Sequence, residues 1–433
     1  MPDYSLADLE YWNKRIEEIV RESGLDYYPQ EFEICNYEDM LCYEAYVGMP
    51  SHYPHWSFGK AYERQKTFYQ YNLVGLPYEM VINSNPCIAY LMRDNSLLLQ
   101  ILTMAHVYGH NDFFKNNRLF KRDTWAELTV EMFKAHADRV RKYIQDPSIG
   151  SAKVERILDA AHALRFQTSR NGEPILPLPA ELAKEAPQSV PLQFKEDLLG
   201  FLAEQGKLTA WEQDLVNIVR INSLYFIPQM ETKIMNEGWA SYWHYKILKD
   251  LDLPQGMHLE FLQRHNLVVR AHEYSINPYF LGFKIFESLE QTAGGAKKIM
   301  DIRAEDRDQS FLRRYLTRQL CEELHLFTYG IQGENIVIKE ISDEEGWKSV
   351  RDNLALSVGL GGVPVINPVM VEKGTLKLEH VFDGRELELK YAKETLKHIV
   401  DLWGSRVELT TDLDGHRKII SCNEDKIVII KDS

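Results

Sequence analysis

The sequence predicts a mainly α N-terminal domain, with metal-site helices and a small edge sheet, followed by an α+β C-terminal domain. Three observations carry this. Apolar residues recur at helical spacing through most of residues 1–325. Beyond residue 326, short Val/Ile/Thr-rich runs alternate with two helical patterns. Two histidines, His106 and His110, stand four apart inside an apolar helical stretch, as metal ligands on one helix face do. With 433 residues, 45% apolar and 26% charged, the chain is long enough for two or three cores.

Taken in order, Ser5 with Asp8 forms a capping-box pattern, and Leu9, Trp12, Ile16 and Ile19 follow at helical spacing until Gly24. Tyr27 to His55 has no clear period and reads as irregular. Tyr78 to Met92 reads as extended, with Pro86 placing it at a sheet edge or bulge. Asp94, Asn95 and Ser96 are candidate N-caps for a helix from Leu97 past His110. A second helical block covers Thr124 to Arg165. Five prolines between residues 171 and 192 then mark an extended connection. Helical patterns resume from Phe194 to Leu251, interrupted at Pro228, and again from Leu259 to about Leu326.

The C-terminal domain, 326–433, carries strand patterns at Ile336–Ile341, Val363–Val371, Thr375–Val381, Val407–Thr411, Arg417–Ile420 and Ile427–Ile430. Helical patterns lie at Glu345–Val358 and Tyr391–Trp403. Asp383-Gly384 and Asp414-Gly415 are hairpin-turn signals. Each helix is followed by a strand pair, which suggests an internal duplication.

A net charge of −14 argues against binding a nucleic-acid backbone or docking on an anionic membrane. Proteins or neutral ligands are the expected partners. Five scattered cysteines suit reduced thiols in the cytosol, and Cys35 and Cys42 lack the second pair of a zinc ribbon. No secretory leader is visible, and no apolar run reaches the roughly 20 residues of a membrane span. The expected location is cytoplasmic.

In His106-Val-Tyr-Gly-His110 the imidazoles project from one face of a helix whose preceding turns are apolar, so both must find partners. A divalent metal, zinc by its ligands, satisfies both at once; hydrogen-bonded core histidines are the alternative. The spacing is that of His-Glu-x-x-His, but the position of the water-activating glutamate holds Val107, which cannot move a proton. Gly109 weakens the helix there, by about 1 kcal/mol, which suggests that another group packs close. Downstream, Asn236-Glu237-Gly238-Trp239-Ala240 resembles the Asn-Glu-Gly-Phe-Ala segment of gluzincin aminopeptidases, which makes Glu237 the implied third ligand and the site zincin-like. About 127 residues separate Glu237 from His110, so the fold must assemble the site. His244 shares a helix face with Glu237. Asp112 is a candidate partner for a ligand histidine, or is simply solvated. His52 and His55 could line a pocket but more commonly pack at a loop base. His272 or Glu273 could supply a substitute base, and Tyr279 could stabilise an oxyanion, with capping and packing as the commoner roles. Gly359-Leu-Gly361-Gly362 follows a helix and does not suit a phosphate cradle.

Longer motifs add a family resemblance. Gly48-Met-Pro-Ser-His52-Tyr-Pro-His55-Trp-Ser-Phe-Gly-Lys60, His106-Val-Tyr-Gly-His110-Asn-Asp112-Phe-Phe-Lys-Asn-Asn117, Asn236 to His244, Ile276 to Gly282, His380 to Arg385 and Leu402-Trp403-Gly404 resemble the stage V sporulation protein R (SpoVR) family over nearly the whole chain. The resemblance implies a cytoplasmic bacterial protein needed for spore cortex, hence peptidoglycan, formation, with protein partners in sporulation or cell-wall regulation. Because the family also occurs in bacteria that make no spores, its underlying role is broader.

Two function classes follow. One is a metal-binding, pseudo-peptidase-like regulator or scaffold; the other is a metal-dependent amide or peptide hydrolase whose base is Glu273 or His244. Val107 favours the first, since a general base is typically worth about 100-fold or more.

Overall fold

The computed structural model describes residues 4–71, 79–169, 194–272, 275–292, 294–332, 335–341, 343–344 and 346–432. The proline-rich stretch 171–192 lies outside the described residues. The chain is mainly helical, with a three-stranded sheet and a five-stranded C-terminal sheet.

Helix α1 (Leu6–Glu22) begins at the expected Ser5/Asp8 capping box and buries Leu9, Trp12, Ile16 and Val20; Val20, not Ile19, ends its buried stripe. The stretch read as irregular instead holds β1 (Gln30–Cys35) and α2 (Tyr37–Ala45), the latter started by a second capping box of Asn36 and Asp39. After α3 (Trp56–Gln70) come β2 (Glu79–Ile82) and β3 (Cys87–Met92). Strand β3 is central, parallel to β1 and antiparallel to β2. The strand that runs into the histidine helix is therefore the middle one. The edge strand on that side is β2, and Pro86 sits in the link between the two.

Helix α4 (Leu97–Asn116) starts where Ser96 accepts the Leu99 N–H and is buried from Leu98 to Phe114. It is followed by α5 (Arg118–Asp123), α6 (Thr129–Gln145), α7 (Ser151–Ala163), α8 (Leu198–Gln205) and α9 (Ala210–Glu231). Pro228 does not interrupt α9, which runs on to Glu231. The break comes at Thr232, before α10 (Lys233–Asp250). Thr232 makes no side-chain cap; the buried Asp308 carboxylate instead accepts the Ile234 and Met235 N–H groups at 2.8 and 2.9 Å. Next come α11 (Gln255–Val268), α12 (Pro278–Glu290), α13 (Gly295–Glu305), α14 (Asp308–Tyr315) and α15 (Arg318–Glu323). The remaining elements are β4 (Phe327–Gln332), β5 (Asn335–Ile341), α16 (Trp347–Ser357), β6 (Ile366–Glu372), β7 (Thr375–His380), α17 (Leu389–Trp403), β8 (Val407–Leu413), β9 (His416–Cys422) and β10 (Val428–Asp432).

The chain divides into two compact units. The first comprises residues 1–52, 56–133 and 228–362; residue 326, the expected start of a C-terminal domain, lies within it. In this unit α10 packs between α4 and α12, and α4 also packs on α1, around a core that includes Ile101, Tyr108, Trp239 and Phe286. Small residues set the helix spacing. A Cβ on Gly238 would lie 2.3 Å from the Gly282 Cα, so α10 and α12 touch backbone to backbone.

The second unit comprises residues 53–55, 134–227 and 363–433. Its sheet runs β10-β9-β8-β7-β6; β7 and β8 are parallel and joined through α17, and the other pairs are antiparallel. Asp414-Gly415 makes the β8–β9 turn as expected, both residues at positive φ. Asp383-Gly384 does not make a hairpin. The β6–β7 turn is Lys373-Gly374, at φ 49° and 83°, while Asp383 pairs with Arg385 on the way into α17.

Candidate metal centre

The helix periodicity of α4 sets His106 and His110 on one face, and the close packing of α4 on α10 carries Glu237 to them. The Glu237 Oε2 atom lies 3.5 Å from His110 Nε2 and 3.9 Å from His106 Nε2. From the other side β2 delivers Glu79, whose Oε1 is 3.9 Å from His106 Nε2. Glu79, His106 and His110 each offer a donor atom within 4.8 Å of the others, and could hold a metal ion. No motif or spacing singles out Glu79. Its only signal was a lone carboxylate heading an apolar four-residue strand.

These separations are too long for hydrogen bonds. His106 Nε2 and Glu237 Oε2 are both buried without a hydrogen-bond partner among the described residues. Leaving such atoms unpaired costs about 1–3 kcal/mol each. Two donor atoms bound at about 2.1 Å to one tetrahedral ion lie about 3.4 Å apart, close to what is seen here. The donor set, two neutral-capable imidazoles and two carboxylates, therefore fits a divalent cation.

The remaining ring nitrogens are held from behind. His110 Nδ1 is 2.8 Å from Asn236 Oδ1, an acceptor that fixes the proton on Nδ1 and frees Nε2. Asp112 does not fill that role. It is fully buried, accepts the Trp239 indole N–H at 2.8 Å and the Asp26 N–H at 2.9 Å, and pairs with Arg303 at 3.0 Å. It thus ties α4 to α10 and α13. His106 Nδ1 lies 2.9 Å from His244 Nδ1, and His244 Nε2 lies 2.8 Å from His265 Nδ1. His265, on α11, was not anticipated. Both His244 nitrogens are engaged away from the face where Glu79 and Glu237 converge. Tyr279 opens α12 beneath its Asn277 cap and stacks on His106, ring centroids 6.0 Å apart. Glu273 lies outside the described residues. Val107 is fully buried in the core.

Electrostatics favour the metal-ready state. Burial, then the neighbouring His106, pushes the His110 pKa down to about 4. Burial likewise drives His244 well below the usual histidine value. For Glu237 burial acts upward, but His106, His110 and Lys233 outweigh it and leave the carboxyl lowered. Glu79 is raised, chiefly by burial, with Glu237 adding to it and His106 opposing. The negative charge of Glu237, then burial, lifts Tyr279 well above its ordinary value, so it keeps its proton as a donor. A neutral His110 imidazole facing the Glu237 carboxylate is a pair that a cation binds without first displacing a proton from either.

The other histidine-rich segment divides. His52 packs against the Tyr46, Phe58 and Phe133 rings, while His55 faces Asp159 at 3.2 Å and the His162 ring. At Gly359–Gly362 the Leu360 N–H donates to Glu231 at 2.8 Å, so a carboxylate of the chain itself occupies that turn.

The family model described as SpoVR like protein matches residues 3–188 and 178–363, and that of the SpoVR-like C-terminal domain matches residues 365–414. The chain belongs to the SpoVR-like family. A SpoVR-like relative, the uncharacterized protein YcgB of Escherichia coli (strain K12), is 32% identical over 475 residues, covering 94% of this chain and 92% of that protein. No solved structure matches the chain. Among the described residues no helix is long and apolar enough to cross a membrane.

Proposed function

We propose that this SpoVR-like protein is a metal-binding regulator or scaffold with a zincin-like centre, acting in the cytoplasm on protein partners that control peptidoglycan assembly, including the spore cortex. Family membership supports the link to sporulation. One observation carries the metal: the orphaned His106 Nε2 and Glu237 Oε2 atoms converge with His110 and Glu79 at ligand-to-ligand distances. His106, His110 and Glu237 are the ligands, with Glu79 as a further carboxylate, and zinc suits that set. A divalent ion held there supplies Lewis acidity toward a carbonyl or a water. The apolar Val107, in the place of the usual base, favours a binding role over turnover.

A specific observation supports the second reading, a metal-dependent amide or peptide hydrolase. Glu79 brings a desolvated carboxylate to the edge of the same site, where it can receive a proton that residue 107 cannot. It replaces His244, whose nitrogens are occupied, as the base to test, and Tyr279 is the donor beside it. Metal content of protein purified without added metal, compared with His110→Ala and Glu237→Ala, tests the centre; equal content in all three ends the proposal. Turnover of peptide and muropeptide amides that is lost in Glu79→Gln decides for the hydrolase, and inactivity across such a panel decides for the regulator.

A further inference from the structure

The five-stranded sheet of the second unit has two outer strands, β6 and β10. An outer strand presents a row of unpaired N–H and C=O groups that another extended chain can join, and a proline, a bulge or charges along the strand prevent it. Strand β6 carries two of these devices, Pro368 within the strand and a register shift between Pro368 and Met370. Strand β10 carries neither. It pairs with β9 from Val428 to Asp432 without a shift, and its only charges stand at its last two residues. Ile427, Ile429 and Ile430 are 56%, 49% and 37% exposed. Successive residues of a strand point to opposite faces, so this apolar surface lies on both sides of the edge. Ile420, opposite Ile430 on β9, is fully buried, so burial stops one strand short of the edge.

The ladder decides which backbone groups are open. The Asn423 N–H donates to the Ile427 C=O at 3.2 Å, so Ile427 turns its polar backbone toward β9. Alternation turns Ile429 and Lys431 the same way. It turns the N–H and C=O of Val428, Ile430 and Asp432 outward, where no strand stands among the described residues. Outward groups must meet outward groups, and a two-fold axis at Ile429 satisfies this for two copies of β10. Val428 of each copy then faces Ile430 of the other, Ile429 faces its own equivalent, and Lys426 faces Asp432. An axis at Ile430 instead sets Val428 against Asp432, and one at Val428 sets Glu424 against Asp432, a like-charge pair. Both partners of the favourable charge pair are within reach of a second copy. Asp432 is 87% exposed although it pairs with Lys418, and Lys426 is 44% exposed beside Asp401.

We propose that β10 is a self-association edge: two copies of this chain join β10 to β10, antiparallel, about a two-fold axis at Ile429, so that their two sheets become one. Such an interface is self-complementary, as a two-fold dimer requires. Two short strands bury little area, so the dimer dissociates on dilution.

The test uses the full chain in solution. Sedimentation equilibrium should show a monomer–dimer equilibrium, and Ile430→Pro should weaken it about 10-fold or more, because the proline removes an outward N–H and no bond to β9. Disulfide formation gives a second reading that does not depend on how that variant folds. Residues facing each other at a non-hydrogen-bonded antiparallel position have Cα atoms about 4.5 Å apart, which a disulfide spans. Oxidised Ile429→Cys should therefore run as a covalent dimer without reductant, well above the background of the wild type with its five free thiols, and Ile430→Cys should not. A wild type that stays monomeric at its highest soluble concentration overturns the proposal and leaves the edge to a strand of another protein. A dimer that Ile430→Pro does not weaken and Ile429→Cys does not lock overturns it as well, as does cross-linking through position 430 in place of 429.

Discussion

Gly109 of α4 lies so near Ala240 of α10 that a Cβ on the glycine would stand 2.7 Å from the Ala240 Cα. The missing side chain lets the two helices close, and that closure is what presents His106 and His110 to Glu237.

Gly109→Ala therefore has a predicted sign opposite to helix propensity. Propensity alone would stabilise the variant by about 1 kcal/mol. Packing predicts a net loss of roughly 1–3 kcal/mol and a metal affinity at least about 10-fold weaker, because α4 must move off α10. Thermal unfolding and zinc titration of the variant check both, and a stabilised, fully binding variant refutes the packing argument.

Zinc should raise the unfolding temperature of the wild type, and a chelator should lower it. At a free concentration about 100 times its dissociation constant the stabilisation is about 2.7 kcal/mol. In Glu237→Gln and His110→Ala the zinc-dependent shift should shrink to little or nothing. Scanning calorimetry with zinc and with chelator tests this, and an undiminished shift in both variants would place the ion elsewhere.

Arg303 and Asp112 form a buried pair at 3.0 Å, side chains 9% and 0% exposed. Arg303→Met should cost about 3–5 kcal/mol, since the aspartate is left buried without its cation. Its pKa, already pushed up to about 6 by burial despite Arg303, should rise further. Denaturant unfolding at neutral pH gives the size of the loss, and a cost below about 1 kcal/mol would mean that Asp112 is held well enough by Trp239 and the Asp26 N–H.

The folded-state pKa of His110 is depressed to about 4, below the roughly 6.5 of an unfolded chain. Between these values the unfolded state binds more protons, so stability from this group is present above about pH 6.5 and is lost as the pH falls toward 4. In chelator-treated protein, the stability difference between wild type and His110→Gln should narrow by an amount on the order of 2 kcal/mol from pH 7 to 4.5. A difference that stays constant over that range shows that His110 is not desolvated.

The sequence revealed what repeats locally and hid what depends on distant contacts. The i, i+4 spacing of His106 and His110 and the Ser5 and Ser96 caps are short-range facts, and the structure has them where they were expected. Glu237 came from a motif resemblance, and the structure sets it beside the pair. Glu79 and His265 were illegible because nothing in their own neighbourhoods distinguishes them; only the sheet register and the α11 packing bring them in. Strand β1 and α2 were missed although Asn36 and Asp39 form a capping box, since the many tyrosines and turn residues around them obscure the period. Pro228 misled for a different reason: a proline near the C-terminal end of a long helix removes one hydrogen bond, which α9 tolerates.

Residues 134–227, which belong to the second unit, separate α4 from α10 in the chain. During synthesis from the N-terminus, the ribosome must therefore add a whole stretch of the other unit after the paired imidazoles before the Glu237 carboxylate exists. A nascent or prematurely ended chain that stops short of residue 237 carries the two imidazoles of α4 without the carboxylate that faces them in the finished fold.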